Sequence, residues 1–531
     1  MRNVITLIVF VGVIILILWH PTIRIPKTKF YFQIDYSVAP LLGVLILLIS
    51  LQITPNTLLA GIIGNDFLQP WMIIELFFSL AYICISLDLT GSFAYLSLLV
   101  AKKSGGSVKR LFFSFFLLSS FLTTFTSNDI VILTLTPIII YFCKYTKINP
   151  LPFLIGQFFA ANIWSIALYI GNPTNIIVAQ AYKLTFLSYS AWMVLPTIFG
   201  GMACFTLLFL IFRKSLEKRI SPPALNPSSA LKDKPGAIFG VTILACCLGM
   251  LIIAPIFDLN MGHITLTFAV IVLIKDFSYS IYRTAIERKQ GKLKNKITIK
   301  DTTQHQSVLE INENDKKSEN FPLSNLPSLE ITNQIGDIAT KNNDGQEFQE
   351  LNPNQSLLVE EQSKNLFHPL TTALLRVPWK IAPFIIGMFI LVESLSSSGW
   401  VELFASGLSV IQMRIGIFGA VFLMSFLSSI ACNFMNNQPM TILFTSILQN
   451  PTFMATPVIT QASMFALIMG SNFGANFTLI GALAGIMWSS ISVKNGVNIT
   501  YKQFARYGFM VMPLVVALAS LILALEFIVI F

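Results

Sequence analysis

Four polar stretches sit inside apolar sequence and hold nearly all of the chain's capacity to coordinate a solute. Thr126-Ser127-Asn128-Asp129 lies midway through 111–143, and Asn433 to Pro439, with Asn436 and Asn437, midway through 415–449. Gly171-Asn172-Pro173-Thr174-Asn175 interrupts 151–184, which also carries Asn162. Gly470-Ser471-Asn472-Phe473-Gly474-Ala475-Asn476, with Thr478 after it, interrupts 456–492. Amides, hydroxyls and carbonyls in such stretches can hold a neutral solute or a cation, and helix N-termini starting there favour an anion. The binding candidates are therefore Thr126, Ser127, Asn128, Asp129, Asn162, Gly171, Asn172, Thr174, Asn175, Asn436, Asn437, Gly470, Asn472, Gly474, Asn476 and Thr478. Asp129 is the carboxylate in this set. At mid-membrane it can take up a proton or hold a cation, which makes it the candidate coupling group; capping the helix that follows is the competing role. Asp88 and Glu393, near the ends of two apolar segments, suit capping or hinge roles. No HExxH, GxSxG or phosphate-loop pattern is present, which argues against an enzyme and against any cofactor beyond H⁺ or Na⁺ as coupling ion.

Such residues need a frame that brings irregular backbone to the middle of a membrane, and the composition supplies one. The 531 residues are 54% hydrophobic and only 11% charged, against ~25% charged in soluble domains. The mean hydropathy is +0.72. Cytosolic enzymes and nucleic-acid binders are excluded, and the net charge of +10 is scattered between apolar segments, as in cytoplasmic loops. The six cysteines all lie in apolar stretches without metal-ligand spacing and read as small buried hydrophobes.

Apolar segments at 4–19, 37–53, 70–89, 188–212, 236–257, 262–281, 379–396 and 507–531 predict spans, the first a retained one rather than a cleaved leader. The 151–184 and 456–492 regions predict broken helices. The halves of 111–143 and 415–449 are each about 15 residues, short of the ~20 needed to cross, and predict re-entrant hairpins. With the N-terminus outside, Arg24, Lys27, Lys29, Lys102, Lys103, Lys109, Arg110, Lys144, Lys147, Arg213, Lys214, Lys218, Arg219, Lys494, Lys502 and Arg506 fall inside, and only Arg2, Lys183 and Arg414 outside. Residues 285–365 turn Asn-, Gln-, Ser- and Glu-rich, a disordered cytoplasmic linker by composition.

The same order of elements runs twice, giving an all-α polytopic membrane protein of two inverted repeats. Each repeat holds five spans, one of them broken, and one re-entrant hairpin. The divisions fall at 1–212 (first repeat), 213–235 (cytoplasmic connection), 236–284 (start of the second repeat), 285–365 (linker) and 366–531 (its remainder). Inverted repeats with discontinuous helices point to a secondary transporter. A channel would need a continuous polar path, which paired re-entrant tips do not suggest.

Ser127-Asn128-Asp129 with ILTLTPIII, Leu427-Ser428-Ser429-Ile430 with Met435-Asn436-Asn437-Gln438-Pro439, Trp379-Lys380-Ile381 and the terminal YGFMVMP resemble the arsenite-efflux permease (ArsB) family. That family lies within the ion transporter superfamily, beside citrate-type carriers and Na⁺/H⁺ antiporters. The resemblance covers all but the 285–365 insertion. It implies proton-coupled efflux of arsenite or a related small solute from a multi-pass inner-membrane protein, an elevator movement and a homodimer; a soluble ATPase partner is compatible with it. The alternative is a Na⁺-coupled carrier of small anions or dicarboxylates, or a Na⁺/H⁺ antiporter. Where arsenite permeases carry Asp in the two broken helices, this chain has Asn162 and Asn472, while GNPTN resembles the carboxylate-carrier loop.

Overall fold

A computed structural model describes residues 4–19, 21–24, 31–64, 69–217, 219–220, 227–257, 259–282, 369–454 and 457–531. The linker expected over 285–365 lies outside the described residues. Among those described, ten helices are long and apolar enough to cross a membrane. Contacts divide the chain into one compact unit, Met1–Lys275 with Ala373–Phe531, and a second, Asp276–Thr372, in which the Leu370 N–H donates to Ser280 Oγ at 3.3 Å.

Helix α1 (Val4–Trp19) is followed by a two-stranded antiparallel ribbon, β1 (Thr22–Arg24) and β2 (Tyr31–Gln33), with Ile23 opposite Phe32. This ribbon is the one departure from the all-helical expectation among the described residues. The span expected over 37–53 is shorter, α2 (Ala39–Ile49), and a second helix, α3 (Pro55–Ile63), follows it. Leu51 turns to φ 54°, and Thr54 Oγ1 accepts the Thr57 N–H at 3.1 Å, so the chain restarts with Pro55 in the first turn. Helix α4 (Pro70–Leu89) has the expected bounds. The unanticipated α5 (Ser92–Lys103) begins after Gly91, whose φ of 84° reverses the chain against the Ala230 carbonyl, where no side chain fits.

Helices α6 (Val108–Phe125) and α7 (Asn128–Tyr145) form the first hairpin. Phe115 meets Phe142 at 6.0 Å, and the Ser119 and Thr136 hydroxyls both donate to Gln157, so the chain doubles back between them. Each half is 18 residues, longer than the expected ~15, and suits a crossing by length and composition. The first broken region is α8 (Leu151–Trp164), a short 3₁₀ turn (Tyr169–Gly171) and α9 (Pro173–Ala181). Then come α10 (Phe186–Phe212), α11 (Lys234–Ile253), α12 (Met261–Tyr282), α13 (Pro369–Arg376) and α14 (Ile381–Ser397).

Helix α15 (Trp400–Met435) is interrupted at Gly416, with φ 66° and ψ −172°, and its later arm forms the second hairpin with α16 (Asn437–Leu448). The second break consists of α17 (Pro457–Phe473), a 3₁₀ turn (Gly474–Asn476) and α18 (Leu483–Lys494). The terminal α19 (Tyr501–Ile530) closes the fold. Gly508, in the middle of the YGF motif, is where α19 packs on the Asn476 and Phe477 carbonyls, with no space for a side chain between them. Of the six cysteines, all free, five are buried as expected; Cys246 is exposed on α11.

Candidate functional site

The first tip is two non-helical residues, Thr126 (φ −130°, ψ −137°) and the extended Ser127 (φ −121°, ψ 143°), between α6 and α7. Thr126 Oγ1 donates back to the Leu122 carbonyl at 2.6 Å, and Asn128 Oδ1 accepts the Asp129 N–H at 2.9 Å. Asn128 therefore meets the backbone donor that a cap would satisfy. The Asp129 carboxylate is partly buried in the first turn of α7 and makes no hydrogen bond with the described residues. Tyr36, ahead of α2, lies within electrostatic reach of it; burial, with the charges of Asp129 and Asp35, pushes the Tyr36 hydroxyl up to about 12.

The two broken helices are joined by amide side chains. Asn128 Nδ2 donates to Asn162 Oδ1 at 2.9 Å, Asn162 Nδ2 to Asn476 Oδ1 at 2.9 Å, and Asn476 Nδ2 to the Phe159 carbonyl at 3.3 Å. Beside this chain, Ser165 Oγ donates to Asn472 Oδ1 at 2.9 Å and Asn472 Nδ2 to Asn175 Oδ1 at 2.7 Å. Asn175 Nδ2 returns to the Ser165 carbonyl at 2.8 Å, and Ser471 Oγ reaches Thr174 Oγ1 at 3.3 Å. Asn162, Asn175, Asn472 and Asn476 are all 0% exposed. Each uses its amide as donor and acceptor at once, which an ionised carboxylate cannot do.

The second tip is stitched to the second break in the same manner. Asn433 Nδ2 donates to the Gly474 carbonyl at 3.1 Å, and Thr478 Oγ1 donates to Asn433 Oδ1. Asn436 Nδ2 reaches the Ile480 carbonyl at 3.3 Å, and the Asn437 N–H the Gly481 carbonyl at 3.0 Å. Asn172 caps α9 through the Thr174 N–H at 3.1 Å. Gly171, Gly470 and Gly474 are points of close backbone approach. A Cβ at 470 would overlap Ser428 Oγ and come within 2.6 Å of the Ser425 carbonyl. Gly470→Ala should therefore cost about 1–3 kcal/mol as overpacking, read as a lowered midpoint in thermal unfolding of the purified protein.

The candidates thus divide. The amides at 128, 162, 175, 472 and 476 meet one another, whereas at the tips the Asp129 carboxylate, Ser127 Oγ and Gln438 Oε1 have no hydrogen-bond partner among the described residues, the last two being buried. Gln438, Gln157, Ser165, Ser429 and Asn433 were not among the sequence candidates. For Gln157 and Ser165 a lone polar residue within an apolar run was the available signal, while Asn433 and Gln438 stand inside the 433–439 polar stretch and Ser429 in the Leu427–Ile430 motif.

The family model described as citrate transporter matches residues 13–280, and the one described as arsenical pump membrane protein matches residues 357–528. An arsenical pump membrane protein of Escherichia coli is 24% identical over 526 residues, 98% of each chain. One of Yersinia enterocolitica is 23% identical over 465 residues, 86% of this chain and 87% of its own. In fold, the chain is similar to the Alcanivorax borkumensis YdaH transporter, with a TM-score of 0.50 at 12% identity over 98% of this chain and 96% of that one. A helical bundle with ten candidate spans among the described residues, carrying these matches along its length, is a polytopic membrane transporter and not an enzyme, and it belongs to the citrate-transporter family of the ion transporter superfamily, with its residues 357–528 similar to arsenical pump membrane proteins.

Proposed function

We propose that the chain exports arsenite, or a related small solute, in exchange for protons, with Asp129 as the coupling group. The observation that carries this reading is the Asp129 carboxylate, left without a partner beside an amide network whose members already bond one another. The arsenical-pump match at 357–528 and the whole-length relatives support the solute. Arsenous acid is neutral at pH 7 and suits hydroxyl and amide groups rather than a basic pocket. The second reading is a Na⁺-coupled carrier of small anions, or a Na⁺/H⁺ antiporter. The citrate-transporter match at 13–280 favours it, as do the unpaired oxygens of Ser127 and Gln438, which suit a hard cation.

In this reading the chain is two inverted repeats, 1–212 and 236–284 with 366–531, joined by a connection at 213–235 and interrupted by a cytoplasmic linker at 285–365. The hairpins and broken helices move as an elevator against the remaining spans, in a homodimer of the inner membrane. Transport into everted vesicles, scanning arsenite, Na⁺, citrate and phosphate against an imposed proton gradient, tests both readings. Proton-driven arsenite accumulation is expected, and Na⁺-dependent citrate uptake without it would replace the first reading by the second.

A further inference from the structure

Outside the tips, one buried acid has an organised set of partners. Asp88 lies at the end of α4 with its side chain 8% exposed. Its Oδ2 accepts two hydrogen bonds from different directions. Thr134 Oγ1 on α7 donates at 3.0 Å, and Arg376 Nη1, the last residue of α13, donates at 2.9 Å. The Arg376 side chain is half-exposed. The residues just beyond Asp88 are held as well, since the Lys232 and Asp233 N–H groups both donate to the Thr90 carbonyl, at 2.9 and 3.2 Å. This also keeps Lys232 within electrostatic reach of Asp88.

Thr134 stands five residues beyond Asp129 on the same helix, about 8 Å along its axis. Whatever holds Thr134 therefore holds the first tip. We propose that Asp88 is a latch that fixes α7, and with it the Ser127–Asp129 tip, to the end of α4, and that Arg376 sets the latch. Both donors share one oxygen. Withdrawing the guanidinium would leave a buried carboxylate whose charge complement was reduced to Lys232, so the carboxylate would reorient and the Thr134 bond would loosen with it. Because Arg376 is half-exposed, its departure requires no opening of the core. The latch would act as a positioning device for the hairpin whichever solute is carried, resting on the proposed function only in requiring that the hairpin move.

The test reads protection of the hairpin, not transport, so its failure is distinct from failure of the substrate reading. In the full-length protein in nanodiscs, Thr134→Val removes one hydroxyl and leaves the ion pair in place. Amide hydrogen exchange over residues 126–136 should then rise about tenfold or more, the scale of a lost hydrogen bond to a charged group, with exchange in α4 unchanged. Arg376→Gln should raise exchange in the same 126–136 segment. Thr134→Ser, which keeps the hydroxyl, should retain the protection of the parent protein and serves where the valine variant does not fold. Unchanged exchange over 126–136 in either the valine or the Arg376→Gln variant would overturn the latch. So would a loss of protection in Thr134→Ser equal to that in Thr134→Val, or a rise spread evenly over the whole unit.

Discussion

Asp129→Asn should abolish gradient-driven transport while leaving a folded protein. Asparagine preserves the shape of the side chain and can neither gain nor lose charge, so a solute flux tied to an ion gradient loses its coupling. The Asp129 carboxylate bonds to none of the described residues, so the exchange removes no structural partner. Accumulation in everted vesicles should therefore fall to the level of protein-free controls, while the midpoint of thermal unfolding stays close to that of the parent. Solute exchange down its own gradient should persist. Full accumulation in the variant, with an unchanged pH profile, would remove Asp129 from the mechanism and shift coupling to a cation held by neutral oxygens at Ser127 and Gln438.

The opposite behaviour is expected at Asn472, which lies in the amide network. Asn472→Leu deletes the donor to Asn175 Oδ1 and leaves that oxygen enclosed, while Ser165 Oγ keeps the Asn162 carbonyl at 2.8 Å as its acceptor. Stranding a buried polar group costs about 1–3 kcal/mol. That is an appreciable part of the stability of an ordinary folded domain, and reduced yield and a lowered unfolding midpoint should follow before any transport is measured. A leucine variant with parental stability would show that the network contributes little. The contrast between positions 129 and 472 separates a coupling group from a structural one, a distinction that position in a polar stretch does not reveal.

The breaks themselves were legible. A Gly-Asn-Pro-Thr-Asn or Gly-Ser-Asn-Phe-Gly sequence cannot continue an apolar helix, and the 3₁₀ turns at Tyr169–Gly171 and Gly474–Asn476 fall there. Which amide answers which was not legible, because Asn162 and Asn476 are 314 residues apart in sequence and Ser165 and Asn472 are 307 apart. Pairing of that kind depends on tertiary packing, which no local pattern encodes. Gln157 was missed for a related reason. Within an apolar helix it reads as an isolated irregularity, yet it accepts from both arms of the first hairpin. The hairpin halves are longer than expected chiefly because charged residues at their outer ends remain helical, Lys109 and Arg110 in the first turn of α6 and Lys144 in the last turn of α7. Thr136, within α7, keeps its hydroxyl satisfied by the Ile132 carbonyl four residues back at 2.6 Å and by Gln157 Oε1 at 3.2 Å.

Asn436, the hinge between α15 and α16, has φ 69° and ψ 153°, a backbone region that few residues other than glycine enter and that costs of order 1–3 kcal/mol. The mutational alphabet at this position is accordingly short. Glycine would relieve the backbone and lose the Nδ2 bond to the Ile480 carbonyl, while aspartate would keep an acceptor and lose that donor. A β-branched residue would lose both contacts and incur the full conformational cost. Of these replacements, none keeps the contacts that asparagine makes, so drift at the second tip is confined to its neighbours, with Asn436 left standing as punctuation.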